Sequence, residues 1–227
     1  LNLDFSSWKH ITKLDPDKKN TKEIIQTVLE SKTDAIMVSG TQRITKRKVV
    51  KLINLLKDCD KPIVLEPVKA EAVTFSNIDY IFVPSVINSK DKWWIIEAHV
   101  NWILKIKKRK DTPWEKIIPE AYIVLNPKSA VAKVTKAETN LSLNQIVSYA
   151  IFADRFVKFP IVYIEYSGTY GDPKVVKAVK EELKNAKLFY GGGINNREKA
   201  EEMAKYATIV VGNIIYEDLN KFKETIV

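Results

Sequence analysis

Apolar residues in this chain fall into two textures. Short dense runs of Ile, Val, Phe and Tyr recur at His10–Leu14, Asp34–Gly40, Pro62–Glu66, Tyr80–Val86, Ala121–Asn126, Ile161–Ser167, Lys187–Gly191 and Ile209–Gly212. Their length and β-branched content predict strands. Between them, apolar residues are spaced three and four apart among charged ones, which predicts helices at about 20–31, 45–58, 92–110, 142–157, 173–185, 196–206 and 216–225. Start signals agree: Asn20-Thr-Lys-Glu23 and Asn195-Asn196 before Glu198 have the capping-box pattern, and Asp172 precedes Pro173. One slot has no helical period. Between Pro67 and Ile78 the text VKAEAVTFSN is too short and irregular, so the third helix is replaced by a loop.

Strands alternating with helices pair in parallel through right-handed crossovers. Eight such strands in 227 residues, without a Pro/Gly/Ser-rich linker, predict one modified (β/α)₈ barrel domain spanning 1–227. An open doubly wound sheet is the alternative. Runs such as IVYI and YIFV suit a sheet covered on both faces.

Punctuation is one-sided. All seven glycines, Gly40, Gly168, Gly171, Gly191, Gly192, Gly193 and Gly212, lie at or just after predicted strand ends, and the predicted helices contain none. Helix stops would ordinarily use Gly as well. The bias therefore marks the C-terminal face, where barrels of this kind keep their chemistry. The Gly191–Gly193 triplet alone is either a sharp turn or a phosphate cradle; seen beside Gly212-Asn213, the phosphate reading gains, and it falls on Gly193. Lys13, Asp15, Ser39, Thr41, Glu66, Ser85, Asn88, Asn126 and Lys128 collect on the same face.

Glu165 stands inside an otherwise apolar and aromatic strand, IVYIEYSG. A buried carboxylate is costly unless it is paired or used. It is either a structural partner of a lysine such as Lys13, or a base or charge stabiliser with a tuned pKa. Alternation puts it on one face with Tyr163. Asp15 is either a turn residue or, with the Thr41 hydroxyl, a Mg²⁺ site, since Mg²⁺ needs only one or two protein oxygens beside water and phosphate. His10 and His99 are isolated and read as packing residues, and zinc is disfavoured. Trp93, Trp94 and Trp102 crowd the fourth helix, either as core and interface residues or as the wall of a site for a long apolar substrate.

Composition adds little to the fold and something to the function. At 45% apolar and 29% charged residues the chain has the material for a real core. No apolar run is long enough to span a membrane, and LNLDFSSWKH lacks the features of a secretory signal. The single cysteine, Cys59, forbids an internal disulfide and makes a cytoplasmic location the default. The net charge of +9 points either to an anionic partner or to solvated Lys-rich helix faces. A non-enzymatic binder of nucleic acid or of an anionic membrane would leave the one-sided glycines unexplained. A phosphosugar isomerase or aldolase would need a paired acid and base, or a Schiff-base lysine.

The blocks HITKLDPD (10–17), DAIMVSGTQ (34–42), VPSVINS (83–89), YIVLNPKSAVAKVTKA (122–137), YIEYSGTYGDP (163–173), LFYGGGI (188–194) and VVGNIIYE (210–217) together resemble the archaeal geranylgeranylglyceryl phosphate synthases. Several are shared with bacterial heptaprenylglyceryl phosphate synthases. The resemblance covers nearly the whole chain, in order. It implies a (β/α)₈ barrel with helix three replaced by a loop. It implies a Mg²⁺-assisted prenyltransferase that joins geranylgeranyl diphosphate to the C3 hydroxyl of sn-glycerol 1-phosphate with loss of diphosphate. By motif, Lys13, Tyr163, Ile164, Glu165, Tyr166, Ser167, Gly168, Gly193, Gly212 and Asn213 bind glycerol phosphate. Glu165 is the catalytic candidate, and Asp15 and Thr41 belong to the metal and diphosphate site. A homodimer, or a hexamer, is implied, and a lipid product makes peripheral membrane contact plausible. One departure is Val68, where the family pattern has Ser after Glu-Pro.

Overall fold

The fold comes from a computed structural model that describes residues 5–40 and 42–227. Eight parallel strands close into a barrel in sequence order. They are β1 (His10–Leu14), β2 (Ala35–Val38), β3 (Ile63–Leu65), β4 (Tyr80–Val86), β5 (Ile117–Val124), β6 (Ile161–Glu165), β7 (Lys187–Gly191) and β8 (Thr208–Val211). Pairing of His10 with Ile209 and of Thr12 with Val211 closes the ring. The helices are α1 (Lys22–Glu30), α2 (Lys46–Leu55), α3 (Ala98–Ile106), α4 (Ala130–Thr135), α5 (Leu143–Ile151), α6 (Pro173–Glu182), α7 (Arg197–Ala204), α8 (Ile214–Glu217) and α9 (Leu219–Glu224). No described helix is long and apolar enough to cross a membrane.

The period-two rule separates two cores. One set of strand residues, with Ile11, Met37, Val64, Phe82, Tyr122, Tyr163, Phe189 and Val210 among them, fills the barrel interior. The other, with Leu14, Ile36, Val38, Ile81, Ile123, Ile164 and Tyr190, packs outward against helix residues such as Val28, Ile53, Ile146 and Val176. Burying each Val, Leu or Ile contributes roughly 1.5–3 kcal/mol, so the two layers together carry the fold. The N-terminal end of the interior is closed by an aromatic group. Phe5 and Trp8 set their rings edge-on to Tyr80, and Phe5 also meets Phe82 and Phe189.

Caps follow the sequence with small shifts. Asp172 accepts from the Lys174 amide ahead of Pro173, and Asn196 accepts from the Lys199 amide. At α1 the cap is Thr21 rather than Asn20; the Asn20 side chain instead donates to the Asp15 carbonyl. The expected loop replaces the third barrel helix, holding only a short 3₁₀ turn at Ala70–Ala72.

Four expectations change. β5 begins at Ile117 rather than Ala121; Pro119 pairs with Val83 of β4 but lies before the pairing with β6, which starts at Glu120 and Ile161, and Pro is tolerated at such an edge position. A short helix, α4, forms within the YIVLNPKSAVAKVTKA block, capped by the Ser129 hydroxyl. The segment expected as one helix over 216–225 breaks at Asp218, which caps α9. The long fourth and fifth helices each contain a π-helical turn, at Trp93–Glu97 and Phe152–Val157. A π turn displaces the hydrogen-bond pattern, and here the Ser85 hydroxyl donates to the Ile95 carbonyl at 2.5 Å.

Candidate active site

Strand ends bring the polar side chains together, because odd-numbered positions of β1 and β6 and the residues just past β2 and β3 all point into the barrel mouth. Glu66, one residue beyond β3, is the hub. It accepts from Lys13 Nζ at 3.4 Å, from the Ser39 hydroxyl and from the Tyr122 phenol. Sequence reasoning put Glu66 on the right face without a role, and it missed Tyr122. The usable signal was the strand phase that sets Tyr122 beside Tyr163, whose ring stacks on it at 4.3 Å.

Burial by itself would push the Lys13 ammonium down, but the charges of Glu66 and Glu165 outweigh that and hold it above its ordinary pKa. Lys13 is thus a fixed cation. The carboxylate in contact with it is Glu66, whereas Glu165 acts on it through space. Glu165 itself is buried, which raises its pKa; Lys13 and the Ser167 hydroxyl pull the other way without cancelling the shift. Both the amide and the hydroxyl of Ser167 donate to Oε1, at 2.6 and 2.8 Å. That holds the carboxylate in one orientation and leaves Oε2 for a substrate. Burial and the neighbouring carboxylates keep the Tyr122 and Tyr163 phenols well above their usual values, so both are donors rather than phenolates.

Two cavities meet at this cluster. The first, about 350 Å³, is polar and opens over β6, β7 and β8. Its wall includes Tyr163, Glu165, Ser167 and Gly168 from the end of β6, then Gly191–Gly193, then Gly212 and Asn213. Gly193 has φ 59°, and a Cβ there would lie 2.2 Å from the Tyr170 amide nitrogen. Only glycine lets the chain run this close to the neighbouring loop where it borders the cavity. The second cavity, about 180 Å³, is mostly apolar. It lies where the third helix would have packed, between Pro67–Val73 and the Trp94, Ala98, His99 and Trp102 face of the fourth-helix segment. Lys13, Ser39, Gly40, Glu165 and Ser167 line both.

Not every expected residue reaches the cavities. Ile164 lies in the outer core, fully buried, and its side chain lines neither space. Tyr166 also turns away, its ring against the position where Gly171 lacks a Cβ and its own Cβ against Gly192. Alternation explains both, since they are the out-of-phase residues of YIEYSG. Asn88 and Asn126 are structural: Asn88 bonds the Val124 amide and carbonyl, and Asn126 donates to the Ser167 carbonyl. His10 is buried between the Thr33 and Thr225 hydroxyls, and burial lowers its pKa to about 4, which keeps it a neutral packing residue. His99 lines the apolar cavity, and burial lowers its pKa as well.

Asp15 stands at the rim of the polar cavity, its Oδ1 only 2.5 Å from where a Cβ on Gly40 would sit. The Asp17 amide donates to the same oxygen at 2.8 Å. No group of three His, Cys, Asp or Glu among the described residues could hold a metal unaided. A single hard carboxylate beside an anion-sized cavity fits Mg²⁺ that takes its remaining oxygens from substrate and water. Thr41 lies outside the described residues.

One buried group was missed altogether. Glu120, fully buried on β5 two residues before Tyr122, has no hydrogen-bond partner for either oxygen. Burial, then the charge of Glu66, pushes its pKa well above the carboxylate range. Starting the strand at Ala121 hid it.

Relatives match this chain along nearly its whole length. A geranylgeranylglyceryl phosphate synthase of Methanocella arvoryzae is 53% identical over 228 residues, covering 99% of this chain and 98% of that protein. A heptaprenylglyceryl phosphate synthase of Lysinibacillus sphaericus is 46% identical, covering 99% and 97%. The crystal structure of (S)-3-O-geranylgeranylglyceryl phosphate synthase from Thermoplasma acidophilum, in complex with its substrate sn-glycerol-1-phosphate, superposes with a TM-score of 0.80 at 30% identity, covering 96% and 92%. Residues 3–227 match the PcrB family, and the chain belongs to that family.

Proposed function

We propose that this chain is a prenyltransferase that joins geranylgeranyl diphosphate to the C3 hydroxyl of sn-glycerol 1-phosphate, forming geranylgeranylglyceryl phosphate and releasing diphosphate. The observation that carries this reading is the meeting of a polar and an apolar cavity at Lys13 and Glu165. A small phosphorylated alcohol suits one and a hydrocarbon chain the other. The synthase names of relatives at 53% and 46% identity support it.

The roles follow from position. Gly193, Gly212 and Asn213 line the polar cavity, and their amides would serve as fixed donors that need no reorganisation when the phosphate arrives. Lys13, permanently charged, sits between phosphate and reacting centre. Glu165, held through Oε1, takes the C3 hydroxyl proton as that oxygen attacks the allylic carbon. The carbon–oxygen bond to diphosphate breaks with its electron pair leaving on diphosphate, and the ether bond forms. The rings of Tyr122 and Tyr163 offer electron-rich faces beside positive charge developing on that carbon. Asp15 would hold Mg²⁺ against the diphosphate, with Thr41 expected as its companion, and the ion would neutralise leaving-group charge.

The test is a product assay with purified protein, sn-glycerol 1-phosphate and prenyl diphosphates of increasing length. An ether product from the geranylgeranyl donor is expected. A preference for the heptaprenyl donor would move the chain to its bacterial relatives' reaction, and no product from any donor would retire the reading. EDTA should abolish turnover and Mg²⁺ restore it; full activity without metal would remove Asp15 from this role. We further propose a cytoplasmic homodimer, with a hexamer as the alternative assembly. The exposed rings of Phe152 and Phe156, stacked at 6.0 Å, are a candidate contact, and sedimentation equilibrium distinguishes the two states.

A further inference from the structure

The segment after β4 is apolar on two sides. Trp94, Ala98, His99 and Trp102 form the cavity wall. On the opposite side Trp93, Ile96 and Val100, then Ile103 and Leu104 three and four positions on, make one stripe along the π turn and α3. All five are exposed, Ile96 at 57%, Val100 at 50% and Leu104 at 52%. A single exposed aliphatic residue is ordinary, but five in one stripe form a patch that binds something. A helix apolar on two opposite sides belongs between two apolar surroundings. Here it is a one-helix partition between an apolar cavity and the outside.

The partition runs straight into charge. Lys105, Lys107, Lys108, Arg109 and Lys110 leave only Ile106 uncharged in that stretch. Lys105 pairs with Glu71 and Arg109 with Asp111. Lys107, Lys108 and Lys110 are exposed and have no carboxylate at ion-pair distance among the described residues. The Lys105–Glu71 pair also ties the end of α3 to the loop that forms the other cavity wall. Val68 in that loop both lines the cavity and reaches the surface.

An apolar stripe alone fits either a second copy of the chain or a lipid surface. The charge decides between them. A twofold contact would bring two copies of the same unneutralised lysine run to one interface, whereas an anionic lipid surface complements it. Apolar residues in a stripe beside a cluster of lysines are the composition of an element that lies in the plane of a membrane interface. We propose that the outer face of the Trp93–Ile106 segment, together with Lys107, Lys108 and Lys110, docks this protein on an anionic lipid surface. This rests on the prenyltransferase reading for its purpose. Docked that way, the cavity wall itself faces the bilayer, and a long prenyl chain passes between bilayer and cavity without crossing bulk water.

The test is co-sedimentation of the full chain with vesicles of phosphatidylcholine mixed with phosphatidylglycerol, against phosphatidylcholine alone, across a salt series. Binding to the anionic vesicles that weakens with salt is expected. The Val100→Glu/Leu104→Glu variant should bind them at least about tenfold more weakly, and Lys107→Glu/Lys108→Glu/Lys110→Glu should lose the preference for anionic lipid, about fivefold or more per lysine. Elution volume and turnover on a short, water-soluble prenyl diphosphate should stay at the parent level in both. Absence of binding to anionic vesicles, or equal binding by parent and variants, overturns the proposal. A shift of the Val100→Glu/Leu104→Glu variant to a smaller species with vesicle binding unchanged would assign the face to a second copy instead. Vesicle binding requires no catalysis, so a protein that binds but makes no ether product retires the function and keeps the surface.

Discussion

The polar and apolar cavities share five residues, yet they are built by opposite means. One side of the polar one is backbone: Gly191–Gly193 and Gly212-Asn213 come directly off strand ends, so the barrel's hydrogen bonding fixes them. The apolar one is mostly side chain, set by a loop in place of a helix and by the rotation of the π turn at Trp93–Glu97. A phosphate needs a few donors at fixed points, which rigid backbone supplies. A hydrocarbon chain needs only shape and dryness, which side chains can change without touching the barrel. The polar half is therefore expected to tolerate little substitution, and the apolar half to be where specificity drifts among relatives that handle different prenyl chains.

Substitutions can break that division in order of effect. Glu165→Gln strikes the shared wall and should lower kcat by about 100-fold with an unchanged circular-dichroism spectrum. Because the Glu165 pKa is raised, the parent should lose activity on acidification at a higher pH than an ordinary glutamate would allow, and the variant's residual activity should lack that limb. Near-normal turnover would leave Glu165 a structural partner. Gly193→Ala strikes only the polar half. The new Cβ would sit 2.2 Å from a backbone nitrogen, in a left-handed conformation that costs roughly 1–3 kcal/mol. KM for sn-glycerol 1-phosphate should rise at least about tenfold while KM for the prenyl donor holds; equal rises would mean that the two cavities are not separable. Trp94→Ala strikes only the apolar half. It should change the profile of accepted chain lengths, with a shift of about tenfold or less between neighbouring donors, and an unchanged profile would return Trp94 to packing.

The smallest expected effect lies beneath both cavities. Glu120 has a raised pKa in the folded state, so between its unfolded and folded pKa values the native protein binds the extra proton. Stability then falls as pH rises through that window. Glu120→Gln removes the penalty, so thermal unfolding at pH 8 should shift upward by a few degrees, of the order that ~1 kcal/mol produces in a domain of this size. The difference should shrink toward pH 4. A variant less stable than the parent at pH 8 would mean that the carboxylate has a partner inside the barrel.

Sequence alone determined the barrel. Eight strand-like runs alternating with helical periods, and glycines confined to one end of them, depend on local spacing and on backbone rules that hold wherever the chain goes. It also put Lys13, Glu165 and the Gly193 and Gly212 turns at one face, because a parallel barrel sends every strand end the same way. Only the tertiary structure decided which residues look inward at that face. A slip of one position reverses a side chain, which is why Ile164 and Tyr166 fall outside the site, while Glu120, hidden by a strand start set four residues late, falls inside the barrel near Tyr122, which lay within the expected strand without a role. Glu66 became the hub for the same reason: its partners lie 53, 27 and 56 residues away, on or just past three other strands, and no local pattern encodes a contact made across the inside of a closed sheet.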